Sequence, residues 1–231
     1  NTWVSKAAQG TPRSDTGATA IGNKIYISCG WNGAALASTE EYDVIANTWS
    51  VKAAAPTARY GPAVASVKGK VYVMGGYNAS AYSTVEEYSP ATDSWASAAG
   101  LPTIRYRFAA ATVGGRIYAI GGRDNFGSLS GANEEYTPVA PGAPVDAWVN
   151  RAPMPTGRRA LAVAEVNRKV YAIGGDMNSP SAANEEYDPV ADSWTAKAAL
   201  PTPRWELSAA AASGKIYVMG GKDNVPAIYS Q

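Results

Sequence analysis

The 231 residues include 20 Lys and Arg against 19 Asp and Glu, one cysteine and no histidine, for a net charge of +1 at pH 7. Near-neutral charge argues against non-specific attraction to nucleic acid or anionic membrane, which needs a clustered basic excess, and no apolar run approaches the ~18 residues of a spanning helix. Without histidine there is no Ser-His-Asp, Cys-His or His-based metal chemistry, and a lone Cys29 forms no intrachain disulfide.

Asn1 opens the sequence without a Met and without a recognisable leader, which is compatible with removal of an upstream segment. Trp3 then begins a pattern that the chain repeats. Tryptophans recur at Trp3, Trp49, Trp95, Trp148 and Trp194, with steps of 46, 46, 53 and 46 residues. Arg13, Arg59, Arg105, Arg158 and Arg204 follow at a constant distance of 10, and Tyr26, Tyr72, Tyr118, Tyr171 and Tyr217 at a further 13. Length changes fall only after the paired glycines and after Glu-Glu-Tyr, as expected of loops between fixed elements.

Each unit reads as four short strands, clearest between Gly61 and Ser97. Gly61 to Val67 is an apolar first strand, and Lys68-Gly69 is a hairpin turn. Lys70 to Met74 alternates and stops at Gly75-Gly76. Val85 to Tyr88 is the third strand, ended by Ser89-Pro90, and Ser94 to Ser97 carries the tryptophan. In the third copy, Arg123 to Asn133 is a longer loop and Val139 to Pro144 an insertion. The last copy runs out at Ala227-Ile228-Tyr229, in the third-strand position. Four strands per 46 residues, repeated, imply the blades of a β-propeller.

Paired glycines after an apolar strand, a spaced Tyr, a Trp, and Pro-x-x-Arg or Pro-Arg opening the next unit resemble the kelch repeat over essentially all 231 residues. Cys29-Gly30 departs from the Gly-Gly of the other copies. The resemblance implies an all-β propeller with each first strand innermost around a channel. The expected architecture is one domain of five four-stranded blades, with units at about 7–52, 53–98, 99–151, 152–197 and 198–231. Residues 1–6, carrying Trp3, are expected to complete the last blade and close the ring.

Antiparallel pairing puts the arginine before strand one and the glycines after strand two at the same end of each blade. Arg13, Arg59, Arg105, Arg158 and Arg204 are therefore expected at the channel mouth. Two answers to their mutual repulsion are open: structural pairing with Glu40/Glu41, Glu86/Glu87, Glu134/Glu135 and Glu185/Glu186, or an anionic ligand held bidentately. On the same face lie residues that break the repeat. Trp31 and Trp205 are out of register, Tyr60 and Tyr106 follow their arginines, Tyr77 and Phe126 follow glycine pairs, and Arg107, Arg123 and Arg159 add charge. Aromatics beside arginines on scaffolded loops suit a binding surface; packing beneath the loops, or Trp205 plugging the channel, is the structural alternative. The registered Trp, Tyr and Gly-Gly read as scaffold.

The expected function is a non-enzymatic binding propeller, a monomer without metal or cofactor, whose Arg/aromatic face takes an acidic peptide, a protein loop or an anionic saccharide. The candidate ligand-binding residues are Arg13, Arg59, Arg105, Arg158, Arg204, Trp31, Tyr60, Tyr77, Tyr106, Arg123 and Trp205. Galactose-oxidase-like chemistry fails for want of histidines. Resemblance to kelch sialic acid mutarotases leaves a sugar isomerase as the alternative, with Glu206 or Asp15 as acid or base. A purely structural or engineered scaffold is a third reading.

Overall fold

The computed structural model describes residues 2–138 and 147–223. Alternation builds its strands. In Lys70–Met74, Val71 and Val73 face one way and Tyr72 and Met74 the other, and all four are buried because both faces of the sheet are covered. Lys68 and Gly69, both at positive φ, close the two-residue hairpin back to Ala63–Val67.

Four antiparallel four-stranded sheets follow in sequence order. Unit 1 is Gly17–Ile21, Lys24–Ser28, Thr39–Asp43 and Thr48–Lys52. Unit 2 is Ala63–Val67, Lys70–Met74, Val85–Ser89 and Ser94–Ala98, and unit 3 is Ala109–Val113, Arg116–Ile120, Asn133–Thr137 and Ala147–Arg151. Unit 4 is Ala162–Val166, Lys169–Ile173, Asn184–Asp188 and Ser193–Ala196, and unit 5 is the hairpin Trp205–Ala212 with Lys215–Lys222. First strands of successive units pack side by side, which puts them innermost in a propeller.

The expected fifth four-stranded blade is corrected. Among the described residues unit 5 has two strands, and its expected third-strand position, 225–229, lies outside them, as does the insertion at 139–144. Residues 2–8 form no strand, and Trp3 is 97% exposed, so the N-terminal segment does not close the ring as a fourth strand. The reason is local. In units 1 to 4 the tryptophan is seated on the third-strand tyrosine, with ring centroids 5.0 Å apart for Tyr42–Trp49 and 5.1 Å for Tyr88–Trp95, whereas Trp3 is exposed and meets no ring among the described residues. The residues just after it do follow the repeat. Trp49 Nε1 donates to the Ala7 carbonyl at 2.8 Å, as Trp95 does to Ala53 at 2.8 Å and Trp194 to Ala152 at 2.7 Å.

The core is a series of seams between units. The seam between units 2 and 3 joins Ala65, Tyr72, Met74 and Val85 to Phe108, Ile117, Ala119 and Tyr136. Equivalent clusters lie between units 1 and 2, 3 and 4, and 4 and 5. Tyrosines meet across them, Tyr26 with Tyr88 at 6.0 Å, Tyr72 with Tyr136 at 5.4 Å and Tyr118 with Tyr187 at 5.7 Å. Each fully buried large side chain contributes about 1.5–3 kcal/mol, so several per seam dominate the cohesion between neighbouring sheets. The rigid frame this makes presents one set of loops at the channel mouth.

Candidate functional site

The registered arginines sit in the wall of the mouth. The glycine pair turns the chain out of the sheet, Gly75 and Gly76 both at positive φ, and leaves carbonyls that the sheet does not pair. Arg59 fills this gap. Its Nη1 donates to Gly75 O at 2.9 Å and Thr84 O at 3.0 Å, and its Nη2 pairs with Glu86, whose other oxygen accepts from Thr57 Oγ1 at 2.6 Å. Arg13 does the same with the Cys29 and Ser38 carbonyls and Glu40. Arg105 uses Gly121, Ala132 and Glu134, and Arg158 uses Gly174, Ala172 and Glu185. All four side chains are 0% exposed. Arg204 Nη1 likewise takes the Gly220 carbonyl at 3.0 Å. Of the two answers to their charge, the structure takes the Arg–Glu pair for the first four, and none of these four guanidinium groups is open to a ligand. The second Glu of each pair points to the opposite sheet face, where Tyr72 OH donates to Glu87 at 2.6 Å and Tyr118 OH to Glu135 at 2.8 Å.

The Cys29-Gly30 departure follows from the neighbour. A Cβ on Gly75, Gly121 or Gly174 would strike Phe108, Leu161 or Leu207 of the following unit. At the equivalent position after unit 1 the chain carries the smaller Pro62, and Cys29 is accommodated at a φ of 66°.

Two residues beyond each registered arginine the backbone forms a belt around the channel. Gly61 N–H donates to Asp15 O at 2.7 Å, Arg107 to Gly61 at 2.8 Å, Ala160 to Arg107 at 2.7 Å and Glu206 to Ala160 at 2.9 Å. All five belt residues have φ between 46° and 61°. Glycine suits that conformation best, and unit 2 uses it, so the side chains of Asp15, Arg107 and Glu206 are not required by the belt and add strain of about 1–2 kcal/mol each. They line a central cavity of about 480 Å³, together with Ser14, Thr16, Phe108 and Lys222. Arg107 reaches across it, with Nη2 2.9 Å from Asp15 Oδ2 and Nη1 4.0 Å from Glu206 Oε1, and Lys222 Nζ lies 2.6 Å from Glu206 Oε2. Burial opposes the charge on Arg107, but the hydrogen bond and charge of Asp15, with Glu206, outweigh it and raise its pKa.

Around this cavity runs a rim of paired residues, the one after each arginine against the one after each glycine pair. Ser14 bridges Trp31, Tyr60 bridges Tyr77, Tyr106 bridges Arg123, Arg159 bridges Asp176, and Trp205 pairs with Lys222. The geometry repeats and the residues do not. On units 1 to 3 the rim is an aromatic arc, with centroids 5.2 Å apart for Trp31–Tyr60, 5.5 Å for Tyr60–Tyr77 and 4.8 Å for Tyr77–Tyr106. The Arg123 guanidinium caps it, 4.8 Å from the Tyr106 ring, with Nε donating to Tyr106 OH. Units 4 and 5 make an ionic arc, the Arg159–Asp176 pair at 2.6 Å and Lys222 over Trp205 at 5.2 Å. Burial, then the neighbouring Tyr106 and Tyr77, raises the pKa of Tyr60 and keeps its hydroxyl protonated. Among the described residues no group of three or more His, Cys, Asp or Glu stands together as a metal site.

A family model for the Kelch motif matches residues 12–54, 58–102, 104–155 and 157–201. The chain belongs to the kelch-repeat family. A solved structure titled "Structure of YjhT" is similar to this kelch propeller with a TM-score of 0.81 at 18% identity, over 94% of this chain and 75% of that one, a likeness of fold. No curated protein sequence matches the chain. The kelch fold is in general that of a binding or structural propeller.

Of the sequence candidates, the structure gathers Trp31, Tyr60, Tyr77, Tyr106, Arg123 and Trp205 on the rim, while Arg13, Arg59, Arg105 and Arg158 are buried behind it. Trp205 does not plug the cavity, which is lined instead by its neighbours Glu206 and Lys222. Phe126 is 91% exposed at the tip of its loop. Sequence reasoning put the loops after the glycine pairs on this face but singled out neither Lys222 nor Asp176 as a site residue, and named Asp15 and Glu206 only as isomerase groups. The signal was available: two positions past the registered arginine, the five copies read Asp, Gly, Arg, Ala and Glu.

Proposed function

We propose that this kelch propeller is a non-enzymatic binding module whose site is the mouth, formed by the central cavity and the rim around it, and whose ligand is acidic. One observation carries the reading. Scaffold positions repeat their residues from unit to unit, while the geometrically equivalent mouth positions carry Asp, Arg, Glu, Trp, Tyr and Lys that no fold requirement selects. Arg123 supports the acidic ligand, because among the described residues no carboxylate lies within 4.0 Å of its guanidinium. Aromatics and arginines held on a rigid frame are the composition of binding hot spots. The test is titration of a glutamate-rich peptide and of uronic-acid oligosaccharides into the wild type, Arg107→Gln and Arg123→Gln. Each variant is expected to weaken binding about 10-fold, the size of a lost charge-assisted hydrogen bond, with both still folded and the melting temperature of Arg123→Gln unchanged.

A second reading is favoured by the presence of two carboxylates and two cations on one cavity: a sugar isomerase using Glu206 or Asp15 for proton transfer. It predicts faster anomer interconversion of a carboxylated sugar, followed by NMR, and loss of that rate in Glu206→Gln.

A further inference from the structure

The aromatic arc narrows the ligand class, on the premise that the mouth is the binding face. Tryptophans and tyrosines of the scaffold have their polar atoms paired. Trp49, Trp95, Trp148 and Trp194 each donate Nε1–H to a carbonyl, and Tyr42, Tyr72, Tyr88, Tyr118 and Tyr187 each donate to a side-chain oxygen. The arc differs. Among the described residues, Trp31 Nε1, Tyr60 OH and Tyr77 OH make no hydrogen bond to protein. Trp31 is 40% exposed and the Tyr60 and Tyr77 rings are half-buried, whereas Tyr106 is buried and serves as the base on which Arg123 rests. The arc is therefore a run of mutually tilted rings, Trp31 at 72° to Tyr60 and Tyr60 at 51° to Tyr77, with polar tips left to solvent, leading to a cation that has no carboxylate within 4.0 Å among the described residues.

We infer that the arc from Trp31 through Tyr60 and Tyr77 is a docking track for an oligosaccharide, with Arg123 receiving the carboxylate of a uronic-acid residue at its end. The chemistry matches on three counts. A pyranose offers a C–H face to an aromatic ring, as an amphipathic ring offers its own apolar body. Its hydroxyls both donate and accept, which suits the mixed tips of indole N–H and phenol O–H. The guanidinium supplies the planar donor fork that a carboxylate takes. An acidic peptide could also use Arg123, but it has less use for successive unpaired donors beside ring faces.

The experiment follows intrinsic tryptophan fluorescence of the whole chain during titration with trisaccharides of galacturonic, glucuronic and mannuronic acid, their neutral methyl esters, and a glutamate-rich hexapeptide. At least one free-acid trisaccharide is expected to bind, with its ester about 10-fold weaker and Arg123→Gln weakening the acid to the same extent. Tyr60→Phe and Tyr77→Phe, which keep the rings, are each expected to weaken it several-fold, in the range of one neutral hydrogen bond. Binding of the peptide without any trisaccharide overturns this inference and leaves the acidic-ligand reading standing. Binding of neither overturns both. Trisaccharide binding that Arg123→Gln and the Tyr→Phe variants leave untouched places the sugar elsewhere and also overturns the inference.

Discussion

Arg105 and Glu134 are buried together, 2.5 Å apart at Nη2 and Oε2, with Thr103 holding the second carboxylate oxygen at 2.6 Å. Two such charges are tolerated only because nearly every donor and acceptor is met, and removing one partner strands the other in a low-dielectric interior. Glu134→Gln is therefore expected to lower unfolding stability by about 3–5 kcal/mol, read from urea melts. Replacing Arg59 or Arg105 is expected to cost folding itself, which a binding role at those positions would not do. Backbone space gives a second residue-level test. A Cβ at Gly75 would lie 2.5 Å from the Arg105 carbonyl and 2.6 Å from the Phe108 ring, whereas at Gly114 nothing lies within 4 Å. Both glycines have a φ of 57°. Gly75→Ala should then lose about 2–4 kcal/mol and Gly114→Ala only about 1, the difference being steric clash beyond a shared left-handed conformation. Equal losses in thermal melts would contradict the packing described for the glycine pair.

At the scale of elements, the turns before Trp49, Trp95 and Trp194 clasp the loop that follows the preceding tryptophan. Asp93 accepts from Tyr88 OH at 2.6 Å and Ala53 N–H at 2.9 Å, and Asp192 from Tyr187 OH at 2.6 Å and Ala152 N–H at 2.8 Å. Asn47 does the same uncharged, for Tyr42 OH at 2.7 Å and Ala7 N–H at 2.8 Å. The tyrosine hydrogen bond first, then the backbone N–H, holds Asp93 and Asp192 below the usual aspartate pKa. A depressed folded-state value means stability that is present above the unfolded pKa of about 4 and lost as pH falls through the folded one. Asp93→Asn with Asp192→Asn, which keeps the acceptor geometry that Asn47 shows, should lower stability modestly at neutral pH and flatten the acid limb of a stability-against-pH curve. The opposite limb belongs to the tyrosines. Burial and the Glu135 bond push Tyr118 up to about 12, and the Glu186 bond and burial push Tyr171 up to about 12. Raised values are stabilising below the unfolded pKa of about 10 and lost as pH climbs through the folded ones, so Tyr171→Phe should reduce the alkaline loss between those values.

For the whole molecule, the repeat made most of the fold readable before any coordinate. Constant spacing from Trp49 to Arg59 to Tyr72 located strands to within about two residues, because hairpins and inter-unit seams demand the same residue at the same place in each copy. The closure by Trp3 was not readable, since in units 1 to 4 each tryptophan is seated on a third-strand tyrosine, whereas Trp3 stands exposed and the position expected to receive it lies outside the described residues. At the mouth, sequence could assign an end of the blade to Arg59 but not a depth. Only coordinates show that its guanidinium turns inward to the Gly75 and Thr84 carbonyls while Tyr60, the next residue, turns to the rim. The central cluster escaped notice for a related reason. Arg107 meets Asp15 across 92 residues, a distance that no local pattern encodes. The positions where copies disagree were nevertheless the ones that mattered, and the account places function there and nowhere in the repeated scaffold. Its most direct test is isothermal titration of one acidic ligand, peptide or uronic-acid trisaccharide, against wild type, Arg107→Gln and Arg123→Gln, with thermal melts of the same samples. The account predicts binding that falls about 10-fold in each variant while both stay folded and Arg123→Gln keeps the wild-type melting temperature. Binding undiminished in both variants would contradict it.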